Sequence, residues 1–253
     1  MRFVLSLTIL CVVLAGCTTG PSPNITAMRV PLRDSSSPKT VKIIVLENRP
    51  YVISGAKTER FEGLDRLLSG IPISHETIDG STMANYLAER LSIGFSNAGF
   101  EPSIITVPKG YSSKLVPIGK ERNADGVKFV VDMRDWRYDL GGFRPSFKYD
   151  ISVAVYSPGG SIYANEDFDG TELMPTGGFK HYTERYAEVY QNVFDKVFAS
   201  QPIAEALKGH SSPLRKAGDP AEERIRRLQD MAKEGLITPA DLDREKQRIL
   251  KEI

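Results

Sequence analysis

The run VKIIVLE at Val41–Glu47 is β-branched, of strand length and closed by NRP, which predicts a first, interior strand. Pro50–Asp79 has no sustained period. There RFEGLDRLLSGIPIS suggests a helix around Leu64–Leu68, which Gly70 and Pro72 would end, and the segment is left structurally open. From Ser81 the spacing turns helical, with Met83, Leu87, Leu91 and then Phe95 or Ala98 on one stripe and Gly99 placed as a stop. EPSIITVP reads as a strand, and a short helix is expected over Leu115–Asn123. Val127, Phe129, Val131 and Met133 alternate as in a half-buried strand. The alternation is cleanest at Phe147, Tyr149, Ile151, Val153 and Val155, and SPGGS then turns the chain back so that IYANEDFDG pairs as a hairpin. Phe179, Tyr182, Tyr186, Val189, Val193 and Val197 mark a long amphipathic helix, broken at Pro202 and resumed to Leu207.

The order β-α-β-α-β-β-β-α predicts an α+β fold in which one mixed sheet carries its helices packed on one face, because alternating strands need cover on one side. A second pattern follows a polar linker. In DPAEERIRRLQDMAKEGLITPADLDREKQRILKEI, Asp219 is the expected N-cap, Pro220 takes the first helical position and Glu222 completes a capping box. Gly235 stops this helix, and Thr238 with Asp241 three residues on starts another. The predicted apolar stripe comprises Ile225, Leu228, Met231, Ala232, Leu236, Ile237, Leu242, Ile249, Leu250 and Ile253.

Two short helices bury little apolar surface on their own. Self-association or docking on a partner is the stronger expectation for that stripe, and folding back onto the body is the alternative. The candidate association residues are therefore Ile225, Leu228, Met231, Leu236, Ile237, Leu242, Ile249 and Leu250. The helix–GLIT–helix pattern, with Lys246 and Ile249-Leu250 near its end, resembles the SHOCT (short C-terminal) domain, and that resemblance also implies association. Asp241-Leu242 departs from the acidic-aromatic pair common there. The preceding element order, with GSTMANYLAERLSIGFSNAGFEP and NADGVKFVVDMRDW, resembles the α/β domain of periplasmic assembly lipoproteins of the TolB N-terminal and CsgG-like kind.

At the other end, Met1-Arg2 and the apolar run Phe3–Val13 lead into Leu14-Ala15-Gly16-Cys17. The run is too short to span a bilayer and has the layout of an export signal. LAGC resembles the bacterial lipoprotein signal, which implies that Cys17 is acylated and becomes the mature N-terminus. Thr18, where aspartate would stand in an inner-membrane protein, implies the outer membrane, facing the periplasm. The expected segments are a signal peptide at 1–16, a lipidated flexible tether at 17–40, an α/β domain at 41–208, a linker at 209–218 and the helical hairpin at 219–253.

Composition narrows the chemistry. With 41% hydrophobic and 26% charged residues the chain can build one substantial core, while a net charge of +1 provides no basic face for nucleic acid. Both cysteines, Cys11 and Cys17, precede the body, so the body holds neither a disulfide nor a thiolate metal site. His75, His181 and His210 are scattered, and no nucleophile elbow, phosphate loop or HExxH motif occurs. No catalytic residue, cofactor or metal is predicted. NEDFDGTE places Asp167 and Asp169 before Gly170 but lacks the closing glutamate of a calcium loop. Arg134, Trp136 and Tyr138 form a candidate docking face, because these residue types dominate interface hot spots. Ordinary cross-strand packing is the stronger reading.

The expected role is that of a non-enzymatic, membrane-anchored accessory or assembly factor that contacts other envelope proteins or its own copies. The alternative is a binding module for an envelope ligand such as peptidoglycan or lipid, which calls for a cavity of several hundred cubic ångströms.

Overall fold

The computed structural model describes residues 26–66, 71–112, 126–140, 145–174, 182–210 and 221–250. The expected signal segment, Cys17, the helix expected over Leu115–Asn123, Phe179, and the cap expected at Asp219 and Pro220 lie outside the described residues. The elements are β1 (Thr40–Glu47), α1 (Pro50–Ile53), β2 (Phe61–Arg66), β3 (Pro72–Glu76), α2 (Met83–Asn97), β4 (Glu101–Ile104), β5 (Val127–Asp139), β6 (Ser146–Tyr156), β7 (Ile162–Leu173), α3 (Tyr182–Ala199), α4 (Gln201–Leu207), α5 (Ala221–Lys233) and α6 (Pro239–Leu250).

Strand β5 is the axis of a mixed seven-stranded sheet. Antiparallel β6 follows it from Lys128 to Asp139, and β7 pairs on the far side of β6. The opposite edge of β5 is shared. Parallel β1 occupies Val127–Met133, and parallel β2 joins only at Tyr138 and Asp139. Strand β4 flanks β1 and β3 flanks β2, so the sheet forks along this edge. The fork is possible because β5, with 13 residues, outruns the eight of β1.

The segment left open in sequence therefore holds α1 and the β2–β3 hairpin, and Leu64–Arg66 is strand where a helix was suggested. The reason is tertiary. Gly63 lies so close to Tyr138 that a Cβ there would sit 2.5 Å from ring carbons. Only glycine allows β2 to reach β5, and this pairing overrides the helical preference of Leu-Asp-Arg.

The long helices cover one face. Met83, Leu87, Leu91, Phe95 and Ala98 of α2, with Val189, Val193 and Val197 of α3, pack onto Val127, Phe129, Val131, Ile151, Val153 and Val155. Thr82 caps α2 by accepting the Asn85 N–H at 3.3 Å. Its C-terminus closes through Phe100 N–H to Phe95 O, at 3.0 Å. The break between α3 and α4 falls at extended Ser200. Pro202 sits in the first turn of α4, where its missing N–H costs nothing.

The other face is covered as well, so β5 is buried on both sides and not half-buried. Ile44, Leu46, Val130, Ala154 and Tyr156 cluster there beneath Ile105, Val107 and Tyr111.

Of the segment expected as a flexible tether over 17–40, the residues from Thr26 on are described, and they are not free. Residues 26–39 form a strap tied to the helical layer. The Met28 N–H donates to Arg90 O at 3.0 Å, the Arg33 N–H to Ala98 O at 2.8 Å and the Arg29 N–H to Gln191 Oε1 at 2.6 Å. Met28 is 1% exposed. A Cβ on Gly94 would lie 2.1 Å from Met28 O, so glycine is what lets the strap lie on α2.

Candidate interaction surface

The proposed hot-spot trio is separated by one irregularity. A β-bulge between Met133 and Asp135 inserts Arg134, so the core side of β5 passes from Val127, Phe129, Val131 and Met133 to Trp136 and Tyr138. Trp136 is fully buried, with ring centroids 4.9 Å from both Phe147 and Tyr190, and Tyr138 stacks on Tyr186 at 4.3 Å. Arg134 lies elsewhere, clamped between Asp150 at 2.7 Å and Asp167 at 2.8 Å across three strands. The docking face drawn from strict alternation does not form.

What the structure does assemble around the fork is a chain of charged groups. Arg49 is fully buried. It donates to both Glu47 carboxylate oxygens, at 2.7 and 2.5 Å, and through Nη1 to Phe61 O at 2.6 Å and Trp136 O at 3.1 Å. It thereby ties β1, β2 and β5 together at the fork. Nearby, the Tyr51 hydroxyl donates to Asp135 Oδ1 at 2.9 Å, and Arg137 Nε donates to the same carboxylate at 3.0 Å. Burial, and then the Asp135 charge, hold the Tyr51 hydroxyl well above its ordinary range.

The C-terminal hairpin seats on this network. Gly235, at φ 73°, closes α5 with Leu236 N–H donating to Met231 O at 2.9 Å and its own N–H donating to Ala232 O at 3.1 Å. Thr238 and Asp241 form the reciprocal capping box: Asp241 N–H donates to Thr238 Oγ1 at 3.2 Å, and Thr238 N–H to Asp241 Oδ2 at 3.3 Å. Glu234, just before the turn, accepts from Arg137 Nη2 at 2.7 Å and Lys148 Nζ at 2.5 Å. Partial burial pushes the Glu234 carboxyl up, but the Arg137 and Lys148 cations outweigh it and leave it below its ordinary value.

The association stripe has a partner within the chain. Leu228, Met231, Leu236, Ile237 and Ile249 are buried against Tyr51 and Val52 of α1 and Phe61 and Leu64 of β2, with Ile225 and Leu242 partly buried beside them. The Leu250 side chain lies outside those described. The hairpin thus folds back on its own body. The receiving surface lies in the segment that sequence reading left open, which is why it was missed.

A second cluster escaped the sequence reading. Glu62, 5% exposed, accepts the Tyr190 hydroxyl at 2.6 Å, and Arg90 lies over the rings of Tyr86 and Tyr190 at 5.5 and 5.6 Å. Burial pushes the Glu62 carboxyl up to about 7 against the opposing pull of Tyr190 and Arg90. The one sequence signal was Arg90, a charge inside the α2 stripe between Leu87 and Leu91.

Other candidates are modest. A cleft of about 70 Å³ opens at the carboxyl ends of β1 and β4, beside the first turn of α2, lined by Glu47, Asn85 and Lys109 among others. That is well below the several hundred cubic ångströms a ligand site takes. His75 is exposed on β3, His210 is exposed 3.5 Å from Glu205, and His181 lies outside the described residues. Asp167, Asp169 and Gly170 sit within β7, a strand and not a calcium-binding loop. Among the described residues no cluster of three metal-ligating side chains occurs, and no helix is long and apolar enough to cross a membrane.

No family model matches the chain, and no curated protein does. Among solved structures, a Xanthomonas campestris protein of the DUF330 family model is similar at TM-score 0.42 and 11% identity, covering 73% of this chain and 94% of that one. The hypothetical protein CT253 from Chlamydia trachomatis gives 0.38 and 8%, with 69% and 98% covered. The lipoprotein GNA1162 from Neisseria meningitidis gives 0.36 and 9%, with 64% and 100% covered. Similarities of this depth carry no function to this chain.

Proposed function

We propose that this chain is a lipid-anchored, non-enzymatic protein on the periplasmic face of the outer membrane, acting as an accessory or assembly factor through protein–protein contact. The observation that carries the reading is Leu14-Ala15-Gly16-Cys17 behind its apolar run, with the described body starting nine residues after the cysteine, at Thr26. Charge placement supports a non-catalytic body. Glu47 with Arg49, and Asp135 with Arg137 and Glu234, are engaged in ion pairs that tie strands and hairpin together. The SHOCT-like hairpin belongs to this reading as a docked element, and a protein partner would meet its outer surface or the junction that Glu234 bridges.

The test is fractionation with an alkyne fatty-acid label. The wild-type chain takes up label and sediments with outer membranes, whereas Cys17→Ser loses the label and moves to the soluble periplasmic fraction. Labelling that survives Cys17→Ser sinks the proposal. Photo-crosslinking from position 234 in the envelope then reads for a protein partner.

A further inference from the structure

The structure assigns the strap over α2 as a membrane footing: Leu32, flanked by Arg29 and Arg33, rests on the lipid surface into which Cys17 is anchored. The inference rests on the lipid-anchor reading and adds which side of the body meets the bilayer.

Reach is the first observation. Residues 18–25 are all that separate Cys17 from Thr26, where the described body begins. Nine peptide steps span at most about 30 Å, against about 80 Å had the whole of 17–40 been free. The second observation is where this short lead arrives. Met28, Arg29 and Arg33 are bonded to Arg90, Gln191 and Ala98, so the anchor enters on the side of α2 and α3. The hairpin lies on the opposite side of the sheet: Glu234 holds Arg137 and Lys148, while their neighbours Trp136, Tyr138, Phe147 and Tyr149 point into the α2–α3 core.

The third observation is chemical. Leu32 is 83% exposed, more than any other large apolar residue described, and Ile93 of α2, which neighbours strap-bound Gly94, is 38% exposed. Arg29 and Arg33 flank Leu32. Arg29 pairs with Asp195 at 2.7 Å, and Arg33 donates to Gly99 O at 3.1 Å and to Ser37 O at 2.7 Å, so the two guanidiniums are held by the body beside Leu32 and leave it as the projecting group. Exposed Asp34, two residues from Leu32, and Asp195 offset the arginines, so net attraction is modest and the apolar contact with the interface carries the footing. A modest contact suffices. Tethering within about 30 Å raises the local concentration of bilayer to the millimolar range, and a single inserted leucine then holds the orientation.

Because no cysteine follows Cys17, single labels are clean. The acylated full chain is reconstituted into phosphatidylethanolamine vesicles with about a quarter phosphatidylglycerol, carrying nitroxide-headgroup lipid. A bimane label at Leu32→Cys, or at Ile93→Cys as a second site, is expected to lose about half its emission, and a label at Asp243→Cys on α6 to keep nearly all of it. Adding Leu32→Glu is expected to remove most of the quenching at position 93 while the protein still floats with the vesicles. Flotation with equal quenching at 32 and 243, or with none at 32, overturns the footing and leaves the anchor reading intact. The latter is also the result if the strap meets a protein. Failure to float overturns both.

Discussion

The two faces of the sheet are covered in different ways. Beneath α2, α3 and α4 lies a continuous aromatic and aliphatic core, where Trp136, Phe147, Tyr190 and Phe194 meet edge to face or tilted. On the opposite face, buried apolar residues form two smaller clusters, and ion pairs lie around the fork between them. A sheet with apolar residues on both faces of its central strand needs two covers. Three helices supply one, and a loop with a two-helix hairpin supplies the other. The first face is one continuous apolar core, whereas the second joins smaller apolar clusters to ion pairs, one of which Glu234 carries across to the hairpin.

If that contrast is right, the largest effect falls on the helical face. Trp136→Ala removes a fully buried ring and is expected to cost about 4 kcal/mol in urea unfolding; a loss below about 1 kcal/mol would mean the aromatic core is not where stability resides. Next comes Glu62. Its folded carboxyl titrates at about 7 against an ordinary 4.5, so the folded state holds the proton more tightly. The contribution of Glu62 to stability is full below pH 4.5 and is lost as pH rises to 7. Glu62→Gln keeps an acceptor for Tyr190 and is expected to flatten that decline, whose span is about 3 kcal/mol. An unchanged pH profile would show that the carboxyl titrates normally.

On the hairpin face the effects are smaller and local. Leu236→Ala is expected to cost about 2 kcal/mol in hairpin docking, read as faster proteolysis within 221–250 with the melting of the body nearly unchanged. Equal destabilisation of both parts would show that hairpin and body unfold as one unit. The smallest effect belongs to Glu234→Gln, about 1 kcal/mol. Because the Glu234 carboxyl is held below its ordinary value, its contribution is present above pH 4.5 and fades as pH falls, the opposite sign to Glu62. Hydrogen exchange at α5 and α6 on acidification reads it directly, and Glu234→Gln should abolish that pH dependence.

Legibility in the sequence follows the same division. The α2 stripe, the parity of β6 and the turn at SPGGS were plain because each has a period or turn chemistry of its own. The candidate surface was half legible. The hairpin residues were visible, but Tyr51, Val52, Phe61 and Leu64, which receive them, lie in short elements with no sustained period. Arg134, Trp136 and Tyr138 misled because strict alternation cannot anticipate an inserted residue.

The sequence by itself determined what depends on neighbours a few residues apart. The stop at Gly235 and the Thr238–Asp241 box both consist of contacts spanning at most five residues. Tertiary structure alone decided the strand at Leu64, the change of parity at Arg134, the seating of the strap on Gly94 and the docking of the hairpin on α1 and β2. In each of these a distant segment supplies the surface that outweighs local preference, and propensities well under 1 kcal/mol per residue yield to the burial of whole side chains worth several times that.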